Sequence, residues 1–316
     1  MRCLNVMLLT MCMGLAGCQH VSPHLQQAEP QAMIDASSDP QPASFSSIKQ
    51  QHPVVALVLG SGGARGYAHI GVIQVLEQNG IRPDFIVGTS AGSIVGSIYA
   101  SGKNASQLRD IALNMKVGDV REITLDKKGF FDGKKVEDYV NQQVNDMPLE
   151  KMRIPMYVVA TELKNGTETI FNKGNTGQAV RASISIPSMF VPTKIQNKEY
   201  VDGGLVSPVP VEVAKKLGAD IIIAVNILAQ PVHTETTNIW GLFNQNINIM
   251  QNRLAYEELK HADIVIQPEL YEKAHIFDVK EREATMQAGV QAAEKKIGDI
   301  QTALELRQSE LQAQQR

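Results

Sequence analysis

Cysteine is almost absent from this chain of 316 residues: Cys3, Cys12 and Cys18 all lie near the N-terminus, and none follows. Past Cys18 there is no thiol for a disulfide, so the folded part must be held together by its core. A strong charge of one sign is missing too. The net charge of −3 and the pI near 6.2 provide no broad basic field to neutralise phosphates, which excludes nucleic acid as an expected partner. No apolar run reaches the roughly 20 residues that a membrane-spanning helix needs, and there is no internal repeat. What the chain does have is 43% hydrophobic residues, enough to bury one large core.

At the N-terminus, Arg2 precedes an apolar run from Leu4 to Leu15, and the small residues Ala16 and Gly17 stand before Cys18. This is the layout of a secretory signal. Leu15-Ala16-Gly17-Cys18 resembles the lipobox of bacterial lipoproteins. That resemblance implies removal of residues 1–17, lipidation of Cys18, and an exported, membrane-anchored lipoprotein. Gln19 stands where an aspartate would favour inner-membrane retention, which points to the outer membrane if the source is Gram-negative. An ordinary cleaved signal with a chance cysteine is the alternative. From Gln19 to about Gln51 the chain is rich in Gln, Pro, Ser and Ala without an aliphatic pattern, so residues 18–52 read as a flexible tether.

The folded part is expected from Pro53. Val54 to Leu59 is a continuous apolar run bounded by glycine, as in a strand buried on both faces. Ile70, Ile73 and Leu76 then recur at helical spacing up to Asn79-Gly80, and Asp84 to Val87 reads as a second strand, completing a βαβ unit. Helices are expected over Ala91 to Ser101, Ala105 to Met115, from about Lys134, and over Val209 to Leu217. Pro155 to Leu163 and Asp220 to Asn226 read as strands, and the alternation predicts an α/β fold over 53–226.

Residues 227–316 read as a helical extension packed on that core, with one late strand over Asp263 to Ile266. Ile239 to His261 carries Trp240, Phe243, Ile247, Met250 and Leu254 at helical spacing. It reads as a helix covering a sheet face with its apolar stripe, with a lipid-facing lid as the alternative. Glu281 to about Leu306 reads as one polar closing helix.

Gly88-Thr89-Ser90-Ala91-Gly92 falls between an expected strand and an expected helix, the context of a G-x-S-x-G nucleophile elbow. The glycines suit a tight, strained turn in which neighbouring side chains would clash. Gly60-Ser61-Gly62-Gly63-Ala64-Arg65-Gly66 also links a strand to a helix and leaves backbone N–H groups uncovered for an anion. Its spacing fits neither a dinucleotide fingerprint, since Arg65 stands at a glycine position, nor a P-loop. An oxyanion hole remains, to which Arg65 would add a cation. Asp202-Gly203-Gly204 reads by itself as a turn. A serine hydroxyl still needs a base, and the residues alone leave its identity open.

Together, and in this order, these three segments resemble the oxyanion, elbow and D-G-A/G motifs of the patatin-like phospholipase family. Ala182 to Pro192 is similar to the family's A-S-x-S-I-P-x-x-F segment, which packs beside the site. The resemblance covers about Val54 to Asn226. It implies a three-layer α/β sandwich with a mostly parallel central sheet, and a phospholipase A or lysophospholipase-type acyl hydrolase acting on membrane lipids. Ser90 would be the nucleophile and Asp202 the base, with an acyl-enzyme intermediate. Gly62, Gly63 and Ala64 with Arg65 would hold the oxyanion, and Gly88, Gly92, Gly203 and Gly204 would shape the turns. No metal, cofactor or third catalytic member is implied, and protein partners stay unspecified.

Two rivals are weaker. A conventional serine, acid, histidine hydrolase using His261 or His275 leaves the glycine-rich loop and Asp202-Gly203-Gly204 unexplained. A catalytically idle lipid-binding scaffold leaves intact Ser90, Asp202 and Arg65 unexplained. His69, one turn from Arg65, reads as a packing histidine.

Overall fold

Every side chain from Val55 to Leu59 is buried, and alternate residues serve two different cores. Val55, Leu57 and Leu59 join one apolar cluster, and Ala56 and Val58 the other. Alternation along a strand sends neighbours to opposite sheet faces, so this apolar run needs helices on both. The computed structural model describes residues 31–35, 45–124, 126–228, 237–270 and 281–314.

Its strands are β1 (Gln31–Asp35), β2 (Val55–Leu59), β3 (Phe85–Thr89), β4 (Met156–Glu162), β5 (Glu168–Lys173), β6 (Thr193–Ile195), β7 (Lys198–Asp202), β8 (Ile221–Val225) and β9 (Ile264–Ile266). Its helices are α1 (Ser46–Lys49), α2 (Tyr67–Gln78), α3 (Ala91–Ala100), α4 (Ala105–Asn114), α5 (Val117–Val120), α6 (Lys134–Gln143), α7 (Thr176–Ile184), α8 (Val211–Lys216), α9 (Ile239–Leu259), α10 (Arg282–Glu294) and α11 (Ile297–Gln314). The sheet runs β1-β5-β4-β3-β2-β8-β9, and its centre, from β4 to β9, is parallel. Helices α2, α3, α4, α6, α7 and α10 pack on one face, and α1, α8 and α9 lie on the other. The fold is α/β, in three layers, as the alternation predicts.

One junction in the sheet matters most. β3 pairs with β4 over Met156 to Val159, and β7 pairs antiparallel with the same strand over Ala160 to Glu162. β5 also pairs with β4 over Val158 to Thr161, overlapping both, so β3 and β7 share the opposite edge. β7 therefore takes over where β3 stops. Thr89 lies against Val159 and Asp202 against Ala160, which brings the end of one strand to the end of the other.

Three expectations need correction. The supposed tether contributes β1, paired antiparallel with β5, and Phe45, which is buried and stacks on Phe85 at 4.9 Å between ring centroids. Strand pairing uses main-chain groups and needs no aliphatic pattern, and a single aromatic side chain can bury 150 Å² or more. The closing helix is two helices, α10 and α11, separated at Lys295 and Lys296.

The third concerns α9, which does not lay an apolar stripe on the sheet. Met250 and Leu254 are exposed, and among its described side chains the buried positions are Asn248 and Ala255. The surface beneath includes the polar loop after β7, and polar side chains meet it.

Two other described parts of the C-terminal stretch join the core. β9 extends the sheet beside β8, and α10 crosses α2 closely enough that a Cβ on Gly71 would strike the Met286 carbonyl. The Arg282 guanidinium caps the end of α4 through the carbonyls of Ala112, Leu113 and Met115, at 2.6–2.9 Å.

Candidate functional site

Ser90 sits between β3 and α3 with φ 52° and ψ −119°, a backbone conformation that L residues rarely adopt. The neighbouring glycines make the turn possible. A Cβ on Gly92 would overlap the Leu59 carbonyl, and one on Gly88 would come within 2.7 Å of the Gly92 carbonyl. The turn is also tied down by side chains. Ser90 N donates to Ser183 Oγ (2.8 Å), Ser183 Oγ donates to the Val159 carbonyl (2.6 Å), and Ser93 Oγ donates to the Ser90 carbonyl (2.6 Å).

Ser90 Oγ donates to Asp202 Oδ2 at 2.6 Å, with both residues buried. The other carboxylate oxygen of Asp202 accepts from Gly204 N at 2.7 Å. The main chain of Asp202 is held by the Ser185 carbonyl and by Thr161 Oγ1, each at 2.9 Å. Burial disfavours the charged carboxylate and raises its pKa from 3.8 to about 6, against the opposing hydrogen bonds from Ser90 and Gly204. A base titrating there is mostly ionised at neutral pH yet binds a proton more readily than an exposed aspartate.

The glycine-rich loop packs against this turn, since a Cβ on Gly66 would lie 2.9 Å from Ala91 Cβ. Gly63 takes a left-handed φ of 57°. Gly63 and Ala64 share with Ser90 the wall of a cavity of about 160 Å³. Its other walls are mostly apolar and come from α2 to α7 and the segment that follows α7, with Ile70, Ile94, Leu108, Val136, Ile184 and Phe190 among them. Arg65 is held at both its main chain and its side chain. Its backbone N–H donates to the Gly62 carbonyl (3.2 Å), and its Nε to the Ile227 carbonyl (2.8 Å), so it braces the loop against the segment after β8.

The histidines take other places. Buried His69 donates from Nε2 to the Gly60 carbonyl at 2.9 Å, and desolvation lowers its pKa to about 4, so it holds the loop as a neutral group. His261 is half-exposed against Glu212. His233, His275 and Cys18 lie outside the described residues.

Sequence reasoning missed several side chains. Ser183, within the segment expected beside the site, holds the Ser90 N–H through its hydroxyl, while Ser185 in the same segment holds Asp202 through its main-chain carbonyl. Gln251 of α9 reaches over Gly204, where Asp202 Oδ1 and Ser61 Oγ also converge. No local pattern signals Gln251, because it arrives from a distant helix.

Fold and site together define an α/β protein with a serine elbow opening on an apolar cavity. A model of the patatin-like phospholipase family matches residues 57–215, about half of the chain, and the chain belongs to that family. An NTE family protein of Mycobacterium tuberculosis is 35% identical over 191 residues, covering 60% of this chain and 53% of that protein. Patatin-like phospholipase domain-containing protein 6 of Mus musculus is 28% identical over 228 residues, 64% of this chain and 17% of that protein. The chain thus spans about half the length of the mycobacterial relative and a smaller part of the mouse one. Among solved structures it is similar to VipD of Legionella pneumophila, with a TM-score of 0.44 at 15% identity over 81% of this chain and 67% of that one. The type III effector ExoU gives 0.45 at 14% identity, over 79% and 53%.

Proposed function

We propose that the chain is a serine lipid acyl hydrolase of phospholipase A or lysophospholipase type. The observation that carries this reading is the 2.6 Å hydrogen bond from Ser90 Oγ to a buried aspartate, made on the wall of an apolar cavity. An acyl chain fits the cavity chemically, because its walls offer dispersion contacts and few polar groups.

In this reading Asp202 takes the Ser90 proton as Oγ attacks the ester carbonyl. The negative charge then develops on the carbonyl oxygen, beside the amides of Gly62, Gly63 and Ala64 and near the positive end of α3. Arg65 fixes those amides by anchoring the loop on Ile227. Collapse of the tetrahedral intermediate expels the alcohol, which recovers the proton from Asp202 and leaves an acyl-enzyme. Water activated by the same carboxylate releases the fatty acid and restores Ser90.

The direct test is lipid mass spectrometry of the purified protein against phospholipids, lysophospholipids and neutral glycerides. Free fatty acid is expected from the wild type and none from Ser90→Ala. Silence of the wild type on every ester would favour a non-catalytic lipid-binding protein. The proposal includes export and anchoring through lipid on Cys18, with the outer membrane as the destination in a Gram-negative cell. Cys18→Ser should abolish palmitate labelling in cells, and equal labelling of the variant would end that assignment.

A further inference from the structure

The helix α9 is amphipathic the wrong way round for a helix that covers a core. Its inward side, at positions 248, 251, 255, 258 and 259, is Asn, Gln, Ala, Glu and Leu, of which only Ala255 and Leu259 meet the core. Asn248 and Ala255 are buried, Gln251 reaches over Gly204, and Glu258 accepts from Ser207 Oγ and from Val209 N at 2.9 Å. The opposite side carries Ile239, Leu242, Ile249, Met250 and Tyr256, all exposed, with Ile239 at 78% and Tyr256 at 60%. Large apolar side chains aligned toward water cost free energy unless something covers them, and contiguous patches of this kind mark interaction surfaces.

Resting on the lipid hydrolase reading, we propose that the outward face of α9 docks on a lipid surface. The chemistry of the rim favours lipid over protein. Arg253 and Lys260 lie over the Tyr256 ring, at 5.9 Å and 4.6 Å from its centroid, and both pair with exposed Glu257, so an aromatic body stands at the edge of the apolar strip in a charge cluster with one cation in excess. Tyrosine with arginine and lysine suits the boundary between acyl chains and anionic headgroups. Among the described residues no helix is long and apolar enough to cross a membrane, so α9 would lie along the surface. Its inward seam grips the loop that carries Asp202. Docking therefore sets the catalytic loop directly beneath the lipid interface, with Gln251 and Glu258 as the links.

Tryptophan fluorescence tests this without interference from an N-terminal anchor, because it reports the local environment of one side chain. Met250→Trp in a Trp240→Phe background is mixed with phosphatidylcholine–phosphatidylglycerol vesicles brominated on their acyl chains. Its emission should shift to shorter wavelength and be quenched, and a control tryptophan replacing exposed Leu306 on α11 should change little. Equal quenching at both positions, or none at position 250, would overturn the proposal. A blue shift that grows with protein concentration and needs no lipid would overturn it in favour of self-association.

A paired activity measurement separates this idea from the function beneath it. Ile249→Glu with Met250→Glu should lower hydrolysis of vesicle lipid by about tenfold or more, as charge replaces apolar contact with lipid. Turnover of a soluble short-chain ester should stay within about twofold. Equal loss on both substrates in a folded variant would show that α9 serves the active site alone and sink the docking face. A wild type inactive on every ester would remove the hydrolase reading, and the quenching result would still decide the docking face.

Discussion

Two serine–carboxylate hydrogen bonds meet at the loop after β7, and the contrast between them separates the pair that we propose to be reactive from one that joins two elements. Ser90 donates to Asp202, and Ser207 donates to Glu258. Each carboxylate also accepts a backbone N–H, from Gly204 or Val209. Both have raised pKa values, and burial is the main cause in both. Pairing, burial and a perturbed pKa are therefore insufficient to mark a catalytic group.

Position and the size of the shift divide them. Ser90 lines the apolar cavity beside the glycine-rich loop and is held in a strained turn. Ser207 has neither feature among the described residues. Burial, reinforced by the nearby Glu168 and Glu212 charges, takes Glu258 to about 8 against the hydrogen bonds that it accepts from Ser207 and Val209, so at neutral pH it is ionised to a smaller extent than Asp202. Asp202, at about 6, is mostly ionised and can accept. Ser207 and Glu258 instead pin α9 to the loop after Asp202.

The largest effects should fall on the first pair. Ser90→Ala and Asp202→Asn should each lower kcat by roughly four orders of magnitude or more while circular dichroism stays native. Ser207→Ala and Glu258→Gln should keep ester hydrolysis within about tenfold, or about 1.4 kcal/mol of barrier. A collapse of activity in folded Glu258→Gln would erase the distinction. So would retained activity in Asp202→Asn together with a loss of several orders of magnitude in His233→Ala, His261→Ala or His275→Ala, which would install a histidine as the base.

A smaller effect should appear in the pH profile. Protonated Asp202 cannot take the Ser90 proton, so kcat/KM should fall below a pKa of about 6, by about tenfold per pH unit, and level off above it. A midpoint near 4, like that of an exposed aspartate, would mean that burial does not tune the base.

The smallest effect concerns stability. Asp202 and Glu258 bind protons more tightly in the folded state than their ordinary values of 3.8 and 4.5 allow. The stability that this contributes is fully present below those ordinary values and is lost as pH rises through about 6 and about 8 respectively. Tm should therefore decline with rising pH across that range. Glu258→Gln, which mimics the protonated group, should flatten the upper part of the decline in a thermal melt. An unchanged slope would show that Glu258 is not the group responsible.

Elements with strong local patterns were legible in the chain. The apolar run of β2, the helical spacing in α2 and the glycines around Ser90 each report a structure that depends on nearby residues. Helix α7 was not anticipated because it is short, contains Gly177 and has mostly small apolar residues, although Asn175 caps it by accepting from Gln178 N. β5 was missed as well, lying between polar turns with Thr169, Ile170 and Phe171 as its buried centre. The orientation of α9 could not be read from spacing. A helical period shows that a stripe exists, and only the neighbouring elements decide whether it faces inward.

The sequence by itself determined the α/β alternation, the serine turn and the place of the glycine loop between β2 and α2, because glycine, apolar period and chain order act over a few residues. Tertiary structure decided the rest. Asp202 becomes the partner of Ser90 only where β7 takes over the edge of β4 that β3 leaves, more than a hundred residues along the chain from the serine. Its pKa is set by burial among segments from across the chain, and Arg65 is aimed at Ile227 by the end of β8. Such properties belong to packing, since desolvation and hydrogen-bond geometry depend on which atoms surround a group and not on which residues precede it.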